Sequence, residues 1–375
     1  MKIPRHLQDL GKYLKPNKVL VLYGARQIGK TTLLTDFLEK SNYKYRLDSG
    51  DNIRIQQILG SEDFDIIKEY AENYDLIAID EAQRIPNIGA GLKILVDLIP
   101  NIKVIATGSS SFELAGQLGE PLTGRKRTLT LFPISQIELG QMYNKQELKH
   151  KLGEFLIYGS YPEVITAKSK EEKIQLLEEL VNSYMLKDIL ELEKIKNSKV
   201  LLDLLRLLAF QVGNQVSLSE LARQLGIDVK TVSRYLDLFE KSFIIYNLRG
   251  FSRNLRKEMV KKSKYYFYDN GLRNAIISNY NKIEQRDDIG ALFENFVIIE
   301  RLKKRAYHSI HANDYFWRTW DQMEIDLIEE REGKLFGYEF KWNDKNTKAP
   351  KDWTKTYPDS LYQVIDQKNY LDFVL

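Results

Sequence analysis

The chain has 375 residues, of which 43% are hydrophobic and 29% are charged, and its formal net charge is +4. This length and composition are typical of a globular protein with two or three domains, each able to bury its own core. The sequence contains no cysteine, which excludes disulfide bonds, catalytic thiolates and zinc sites with sulfur ligands. The lack of cysteine is consistent with a reducing compartment.

The apolar segments are too short to cross a bilayer, and the N-terminus does not have the pattern of a signal peptide. Residues 1–10 carry basic side chains but no apolar core segment. The longest apolar runs include Lys18–Tyr23 and Leu204–Phe210, whereas a membrane-spanning helix needs about 20 residues. We therefore expect a soluble, cytoplasmic protein with no membrane partner. His308 and His311 are three residues apart, and we expect them to form a surface pair rather than a metal site.

Positive charge is concentrated in one part of the chain. Residues 195–285 contain 16 Lys and Arg residues against 8 Asp and Glu residues. Such an excess is expected where a protein contacts a polyanion, and it is also expected on a solvated basic surface. Both interpretations stay open at this point.

The segment that follows Lys18–Tyr23 has the sequence of a phosphate-binding loop between a strand and a helix. Lys18–Tyr23 is almost entirely apolar and predicts a strand buried on both faces, and helical periodicity begins after the loop. The intervening Gly-Ala-Arg-Gln-Ile-Gly-Lys-Thr fits the pattern G-x-x-x-x-G-K-[ST] in the strand–loop–helix context that this pattern requires. The residues predicted to bind nucleotide are Gly24, Ala25, Arg26, Gln27, Ile28, Gly29, Lys30, Thr31 and Thr32.

The chemistry of phosphate binding explains the residue types in this loop. Glycines allow backbone N–H groups to approach the phosphates, and the helix beginning near Lys30 directs its positive dipole end at the same anion. Lys30 can reach the β- and γ-phosphates, and the Thr31 hydroxyl can bind Mg²⁺. The alternative is a chance match on a structural loop.

Two adjacent carboxylates end a second apolar strand, Asp75–Glu81. Asp80 is expected to hold Mg²⁺ directly or through a water molecule. Glu81 is placed to act as the general base on the attacking water. Together with the loop, the pair predicts an ATPase with ATP and Mg²⁺ as ligands. No Asn-Lys-x-Asp segment occurs, which favours ATP over GTP.

A third strand, Ile102–Ala106, leads into a run of hydroxyl residues. These hydroxyls can contact the γ-phosphate or orient water, and equally Ser109 or Ser110 can cap the next helix. Further on, Arg125 is a candidate for stabilising the transition state, either in its own chain or from a neighbouring subunit, or else part of a surface loop. The alternation of strands and helices predicts a doubly wound, parallel α/β sheet.

These motifs together resemble the prokaryotic AAA-type ATPases related to the archaeal ATPase group. The resemblance covers nearly the whole chain and rests on the phosphate loop and on Ile79–Pro86, Thr107–Ser110, Leu122–Arg125, Leu131–Ser135 and Tyr158–Glu163. It implies that Lys30 and Thr31 bind nucleotide and magnesium, that Asp80 binds magnesium and that Glu81 activates water. It also implies that Arg125 senses the phosphate.

The middle of the chain is predicted to be helical and then to contain a winged helix. Residues 135–212 have helical periodicity and look like the lid that follows an ATPase core. Ser217 is a predicted N-cap of a helix Leu218–Leu225, and Asp228 of a helix Val229–Lys241. The side chains expected on the outer face of the second helix, where DNA-binding versions read bases, are Lys230, Thr231, Ser233 and Arg234.

Two further strands, Phe243–Tyr246 and Lys264–Tyr268, are predicted to form the wing. The basic residues of this wing region are Arg249, Arg253, Arg256, Lys257, Lys261 and Lys262. They are suited to contact the phosphate backbone of DNA. The alternative is a winged helix that packs against other protein segments.

Residues 287–375 carry a second group of chemically active residues. Asp326 precedes Glu339 and Lys341, which are two residues apart and therefore lie on the same face of the next strand. This is the arrangement of the PD-(D/E)xK nuclease fold. The region resembles the nuclease-fold domain of unknown function that often follows such ATPase modules. Asp326, Glu339 and, from a helix, Glu294 are the predicted Mg²⁺ ligands, while Lys341 would activate water or stabilise the transition state. The alternative is a structural cluster of ion pairs.

Four regions are therefore predicted: an AAA-type P-loop ATPase core at 1–134, a helical lid at 135–212, a winged helix at 213–270 and a nuclease-like α/β domain at 271–375. The leading hypothesis is a Mg²⁺-dependent ATPase with a winged helix and a C-terminal nuclease-fold domain that acts on DNA or is bound to it. The competing hypothesis is a nucleotide-controlled binding or signalling switch whose nuclease fold is not catalytic. Assembly into a homo-oligomer is compatible with both.

Overall fold

The computed structural model describes residues 3–108, 121–185, 198–251, 263–319, 321–343 and 347–375. The chain divides into two compact units. The N-terminal unit comprises residues 5–132 and 241–243, and the C-terminal unit comprises residues 1–4, 133–240 and 244–375. None of the described helices combines the length and the apolar character needed to cross a membrane.

The described strands of the N-terminal unit form a parallel five-stranded sheet with the order β2-β3-β4-β1-β5. Its strands are β1 (Lys18–Tyr23), β2 (Tyr45–Ser49), β3 (Leu76–Asp80), β4 (Lys103–Gly108) and β5 (Lys126–Thr130). Its helices are α1 (Lys30–Lys40), α2 (Ile53–Leu59), α3 (Phe64–Ala71) and α4 (Ile88–Leu98), with short 3₁₀ turns at Leu10–Tyr13 and Ala82–Arg84. The predicted parallel α/β sheet is confirmed.

Helices cover both faces of this sheet, which is why its central strands are nearly continuous apolar runs. Val19 and Val21 belong to one core cluster, to which α2, α3 and α4 also contribute. The alternate residues Leu20 and Leu22 are buried on the opposite face. Because β4 lies between β1 and β3, the carboxyl-terminal ends of these three parallel strands lie side by side.

The C-terminal unit begins with short helices and continues into longer ones. They are α5 (Gln136–Leu139), α6 (Lys145–His150), α7 (Leu152–Tyr158), α8 (Pro162–Thr166), α9 (Lys170–Glu179), α10 (Ser198–Phe210), α11 (Leu218–Leu225), α12 (Val229–Lys241), α13 (Asn270–Ile276), α14 (Ile289–His308), α15 (Lys351–Thr356) and α16 (Tyr370–Val374). A π-helical segment, Leu180–Met185, continues α9, and a 3₁₀ turn lies at Ile283–Gln285.

Among the described residues, one seven-stranded sheet runs through the C-terminal unit in the order β12-β11-β10-β9-β7-β8-β6. Its strands are β6 (Gln215–Val216), β7 (Ile245–Gly250), β8 (Ser263–Phe267), β9 (Asn313–Arg318), β10 (Glu324–Arg331), β11 (Lys334–Phe340) and β12 (Leu361–Ile365). The parallel pairing of β7 with β9 joins the strands predicted for the wing to the strands predicted for the nuclease-like domain. The predicted boundary at residues 270 and 271 therefore does not separate two sheets.

The helices α11 and α12 have the bounds that the sequence predicts. The Ser217 side chain accepts a hydrogen bond from the amide of Glu220 at 3.4 Å. The Asp228 carboxylate accepts one from the amide of Thr231 at 2.9 Å. Apolar side chains on the inner face of α12, including Val232, are buried. The strands β7 and β8 follow as an antiparallel pair, while the predicted basic residues Arg253, Arg256, Lys257, Lys261 and Lys262 lie outside the described residues.

The Tyr158–Glu163 segment has a structural role in the C-terminal unit. Gly159 has φ +71°, and a Cβ atom there would overlap the carboxylate of Asp269. That buried carboxylate accepts hydrogen bonds from the amide of Ser160 at 2.6 Å and from the amide of Leu272 at 3.1 Å. Burial raises the pKa of Asp269. The motif therefore fastens the helical region to α13.

Candidate nucleotide site and C-terminal charged cluster

The loop between β1 and α1 has a backbone that requires glycine at two positions. Gly24 has φ +152°, and a Cβ atom there would overlap the carbonyl oxygen of Leu131. Gly29 has φ +89°, in the left-handed region that side chains disfavour. Gln27 also has a positive φ, of 58°. The loop thus turns tightly between the end of β1 and the first turn of α1.

The Lys30 side chain is held by backbone carbonyl groups of the phosphate-binding loop. Only 5% of the residue is exposed, and its Nζ donates to the carbonyl oxygens of Gly24 at 3.0 Å and Ala25 at 2.8 Å. From the other side, the Arg5 guanidinium donates to the carbonyl oxygen of Ile28 at 3.2 Å. Arg5 could not be predicted from the sequence, because no local pattern links residue 5 to this loop.

A hydrogen bond between two side chains joins the start of α1 to the end of β3. The Thr31 hydroxyl donates to Oδ2 of Asp80 at 2.6 Å. The other oxygen of Asp80 accepts a hydrogen bond from the hydroxyl of Thr107, at the end of β4. The Thr107 hydroxyl also accepts the amide N–H of Glu81 at 3.1 Å. Thr107, which is fully buried, therefore positions both carboxylate residues, as the order of the strands allows.

Glu81 stands on a strained backbone at the end of β3. Its φ is 50°, a conformation that is uncommon for a residue with a side chain and is often found at functional sites. Its Oε2 accepts a hydrogen bond from Nε2 of Gln83 at 2.5 Å. The amide of Gly50 donates to the carbonyl of Asp80 at 2.7 Å, which holds this turn against the end of β2.

The donor atoms at this edge suit a magnesium–triphosphate. Thr31 and Asp80 supply a hydroxyl and a carboxylate, the hard oxygen ligands that Mg²⁺ prefers. The close approach at Gly24, where a Cβ has no room, is the kind of loop that lets a backbone surround phosphate. The residues present therefore fit ATP and Mg²⁺.

The remaining predicted loop residues differ in their surroundings. The Ile28 side chain is fully buried in the core, so this residue can meet a phosphate only through its backbone. Arg26 is half-buried, and Thr32 is exposed at the start of α1. Ser109 and Ser110, for which the sequence leaves two roles open, lie outside the described residues.

Arg125 lies near the amino-terminal ends of β1 and β5, whereas the phosphate loop follows the carboxyl-terminal end of β1. Its carbonyl accepts the amide of Val19 at 2.8 Å, at the start of β1, whereas the loop follows Tyr23, roughly 13 Å further along the strand. Its guanidinium pairs with Asp97 at 2.6 Å. The action of Arg125 on nucleotide, in its own chain or from a neighbouring subunit, stays a prediction.

A second group of charged side chains lies in the C-terminal unit, and we call it the charged cluster. It comprises Lys264, Glu294, Arg318, Glu324, Asp326, Glu339 and Lys341. Lys341 pairs with Glu339 at 2.6 Å, as expected for residues on one face of β11. The Tyr266 hydroxyl donates to Oε1 of Glu294 at 2.6 Å, and the amide of Phe340 donates to Asp326 at 2.9 Å.

Lys264 occupies the middle of the charged cluster. Its Nζ pairs with Glu324 and lies 3.5 Å from Oε1 of Glu294 and 3.8 Å from Oδ1 of Asp326. Only 2% of its side chain is exposed. Burial lowers the pKa of Lys264, but the surrounding carboxylates outweigh burial and raise it above its ordinary value. Neither Lys264 nor Glu324 belongs to a site that the sequence predicts.

Burial and like charge also perturb the carboxyl groups of the charged cluster. The pKa of Asp326 is raised well above its ordinary value by burial and by the charges of Glu294 and Glu339. Burial raises the pKa of Glu339 as well. In the described part of the chain, no three His, Asp or Glu side chains are grouped so as to hold a metal ion. The predicted ligands are brought together, but Lys264 stands between Glu294 and Asp326.

The fold and the first site are those expected of a P-loop nucleotide-binding domain. Residues 16–140 match the family model described as "AAA domain". Residues 149–283 and 289–371 match two models, each described as a domain of unknown function, DUF8612 and DUF4143 respectively.

Several proteins are similar along most of the chain. The "Uncharacterized protein Rv2008c" of Mycobacterium tuberculosis is 27% identical over 326 residues, covering 86% of this chain and 70% of the relative. An "Uncharacterized protein" of Haemophilus influenzae is 27% identical over 354 residues, covering 88% and 84%. The "Uncharacterized protein MJ1544" of Methanocaldococcus jannaschii is 25% identical over 341 residues, covering 86% and 74%. A solved structure, a RuvB variant of Thermotoga maritima, aligns at 16% identity with a TM-score of 0.30, covering 65% of this chain and 92% of that one.

Proposed function

We propose that this protein hydrolyses ATP in a Mg²⁺-dependent reaction and that its C-terminal unit contacts DNA. One observation carries the first part of the proposal. The Thr31 hydroxyl and the Asp80 carboxylate are 2.6 Å apart, next to the buried ammonium of Lys30 and one residue before Glu81. This is the set of groups that a P-loop ATPase uses.

Each residue has a distinct role in the proposed reaction. Lys30 exchanges the carbonyl oxygens of Gly24 and Ala25 for β- and γ-phosphate oxygens when nucleotide binds. Thr31 and Asp80 would hold Mg²⁺, which when bound offsets the negative charge of the phosphates.

Glu81 accepts the proton of the attacking water, in the manner of a general base. Gln83 keeps the Glu81 carboxylate in place through its 2.5 Å hydrogen bond. Thr107 fixes the backbone of Glu81 and the carboxylate of Asp80 together.

The binding step is tested with Lys30→Ala and a matched control, Lys40→Ala, at the exposed end of α1. ATP affinity is measured by equilibrium titration of both variants and of the unchanged chain. Lys30→Ala should lose at least about 100-fold in affinity, because a buried phosphate contact contributes several kcal/mol. Lys40→Ala should bind like the parent. Equal affinities of the two variants would reject the nucleotide site.

The DNA-binding part of the proposal rests on α12 and on local charge. Lys230, Ser233 and Arg234 are exposed on α12, in the position that a recognition helix uses. The hydroxyl of Thr231, also predicted to face outward, donates to the exposed Asp228 at 2.5 Å. The excess of basic residues between 195 and 285 supports contact with a phosphate backbone.

Charge reversal separates DNA binding from a protein-packing role. The double variant Lys230→Glu, Arg234→Glu should weaken DNA binding and lower the slope of log affinity against log salt by about 2. The matched control, Lys351→Glu with Lys355→Glu, changes the same charge on α15 and should leave the slope unaltered. Identical slopes for both double variants would favour a protein-docking role for this helix pair.

Phosphodiester cleavage at the charged cluster is the second candidate function. The convergence of Asp326, Glu339 and Lys341, with the 2.6 Å pair between the last two, favours it. Its test is the cleavage of single- and double-stranded DNA with Mg²⁺ or Mn²⁺. Activity that disappears in Asp326→Asn and in Glu339→Gln supports cleavage by this cluster. Activity that persists in both variants assigns it to a contaminant or another site.

A further inference from the structure

The charges of the charged cluster nearly balance without any added ion. Four carboxylates, those of Glu294, Glu324, Asp326 and Glu339, face the cations Lys264, Lys341 and Arg318, which pairs with Glu324 at 3.2 Å. With all groups ionised, one negative charge is left over. A divalent cation added to this set would make the cluster positive.

The balance changes if Lys264 is removed from the set. The remaining groups then carry two excess negative charges, which is the charge that one divalent cation compensates. Charges buried in a protein are stable only when they are closely compensated. The position of Lys264 therefore determines whether a divalent ion is electrostatically acceptable in the cluster.

A separate observation indicates that the cluster can accept a ligand. Oε2 of Glu339 is buried and has no hydrogen-bond partner among the described residues, and the residue as a whole is 8% exposed. A buried acceptor without a partner is rare in proteins and calls for a ligand or an ion. The other oxygen of the same carboxylate is bound to Lys341.

We propose that Lys264 is the resident cation of the charged cluster and competes with divalent metal for the carboxylates of Glu294 and Asp326. This inference rests on the second candidate function, because DNA cleavage at the cluster would require the divalent metal. Metal enters only when the ammonium gives up its contacts at 3.5 and 3.8 Å. The ring of Phe316, whose centre is 5.5 Å from Nζ, helps to hold Lys264 in place.

The test measures Mn²⁺ binding to the full chain by calorimetry, without nucleotide and with Asp80→Asn in every arm to silence the nucleotide site. Lys264→Met keeps the length of the side chain and removes its charge. It should bind Mn²⁺ at least about tenfold more tightly than the parent, because an ammonium at ~4 Å strongly repels a divalent ion. Adding Asp326→Asn should abolish the gain. The matched control, Lys334→Met at the exposed start of β11, should bind like the parent.

Two results would overturn the proposal. One is a folded Lys264→Met that binds Mn²⁺ no more tightly than the parent. The other is a parent chain that already binds Mn²⁺ tightly and loses this binding in Asp326→Asn, which decides the question even if Lys264→Met does not fold. Because these assays measure binding, a lack of DNA cleavage would not affect their outcome.

Discussion

Gly159→Ala should destabilise the C-terminal unit much more than an alanine at Gly226, a glycine with an ordinary left-handed backbone. Gly159 has φ 71° and ψ −155°, a conformation that almost only glycine adopts, and its Cβ position overlaps the carboxylate of Asp269. Gly226, at the end of α11, has φ +66° but no atom within 4 Å of its Cβ position. Gly226→Ala therefore reports the backbone cost alone, about 1 kcal/mol.

The additional cost at Gly159 has two sources, its more restricted ψ angle and the displacement of Asp269. Displacing this carboxylate weakens its bonds to the amides of Ser160 and Leu272, at 2.6 and 3.1 Å. Hydrogen bonds to a charged group contribute about 1.5 kcal/mol each, so with a backbone cost of at least about 1 kcal/mol the total for Gly159→Ala is at least about 4 kcal/mol. The expected difference between the two variants is at least about 3 kcal/mol.

Urea unfolding followed by tryptophan fluorescence measures this difference. The four tryptophans of the chain all follow residue 300, so their signal reports on the C-terminal unit that contains both glycines. Equal unfolding free energies for Gly159→Ala and Gly226→Ala would refute the reasoning. Such a result would also reopen a functional role for the Tyr158–Glu163 motif.

Three further predictions concern the two units separately. Gly24→Ala should lower ATP affinity at least about tenfold, because the loop must move away from the carbonyl oxygen of Leu131. A binding titration measures this loss, and retained affinity would contradict the prediction. Thr107→Val keeps the shape of the side chain but removes the hydroxyl that bonds the Asp80 carboxylate and the Glu81 amide, so kcat should fall about 100-fold with little change in ATP affinity. An unchanged kcat would show that Thr107 does not have this role. Burial alone would raise the pKa of Asp288, but Arg286 and Arg273 outweigh it and lower the pKa, so its stabilisation is present at neutral pH and is lost as pH falls through the lowered pKa. Asp288→Asn should lower the free energy of unfolding by about 2 kcal/mol at pH 7. The difference in unfolding free energy between this variant and the parent, measured in urea, should become smaller below about pH 4.

The sequence predicts the nucleotide site well because its main signals are local. The apolar strand Lys18–Tyr23, the glycine loop and the following helix adjoin one another along the chain. The Asp80–Glu81 pair is recognisable for the same reason. The edge strand β2 was not predicted, because its residues are polar or only half-buried and lack the apolar pattern of the central strands.

The residues that the sequence analysis did not find act through contacts between distant segments. Arg5 meets the loop from 23 residues away. Lys264 was assigned to the wing, and only the pairing of β7 with β9 brings β8 into one sheet with the strands that carry Asp326. Arg125 precedes β5, and only the register of β5 beside β1 shows that it lies next to the start of β1. Sheet order and register of this kind are not encoded in any short motif.

Single-turnover hydrolysis by Glu81→Gln, compared with the parent at equal nucleotide occupancy, tests the central claim most directly. ATP and Mg²⁺ are supplied at saturating concentration, and bound nucleotide is measured in the same samples. If Glu81 is the general base beside a magnesium–triphosphate, the variant should bind ATP normally while its rate of cleavage falls by at least about 100-fold. A variant that binds ATP and cleaves it at the parental rate would contradict the assignment of this site.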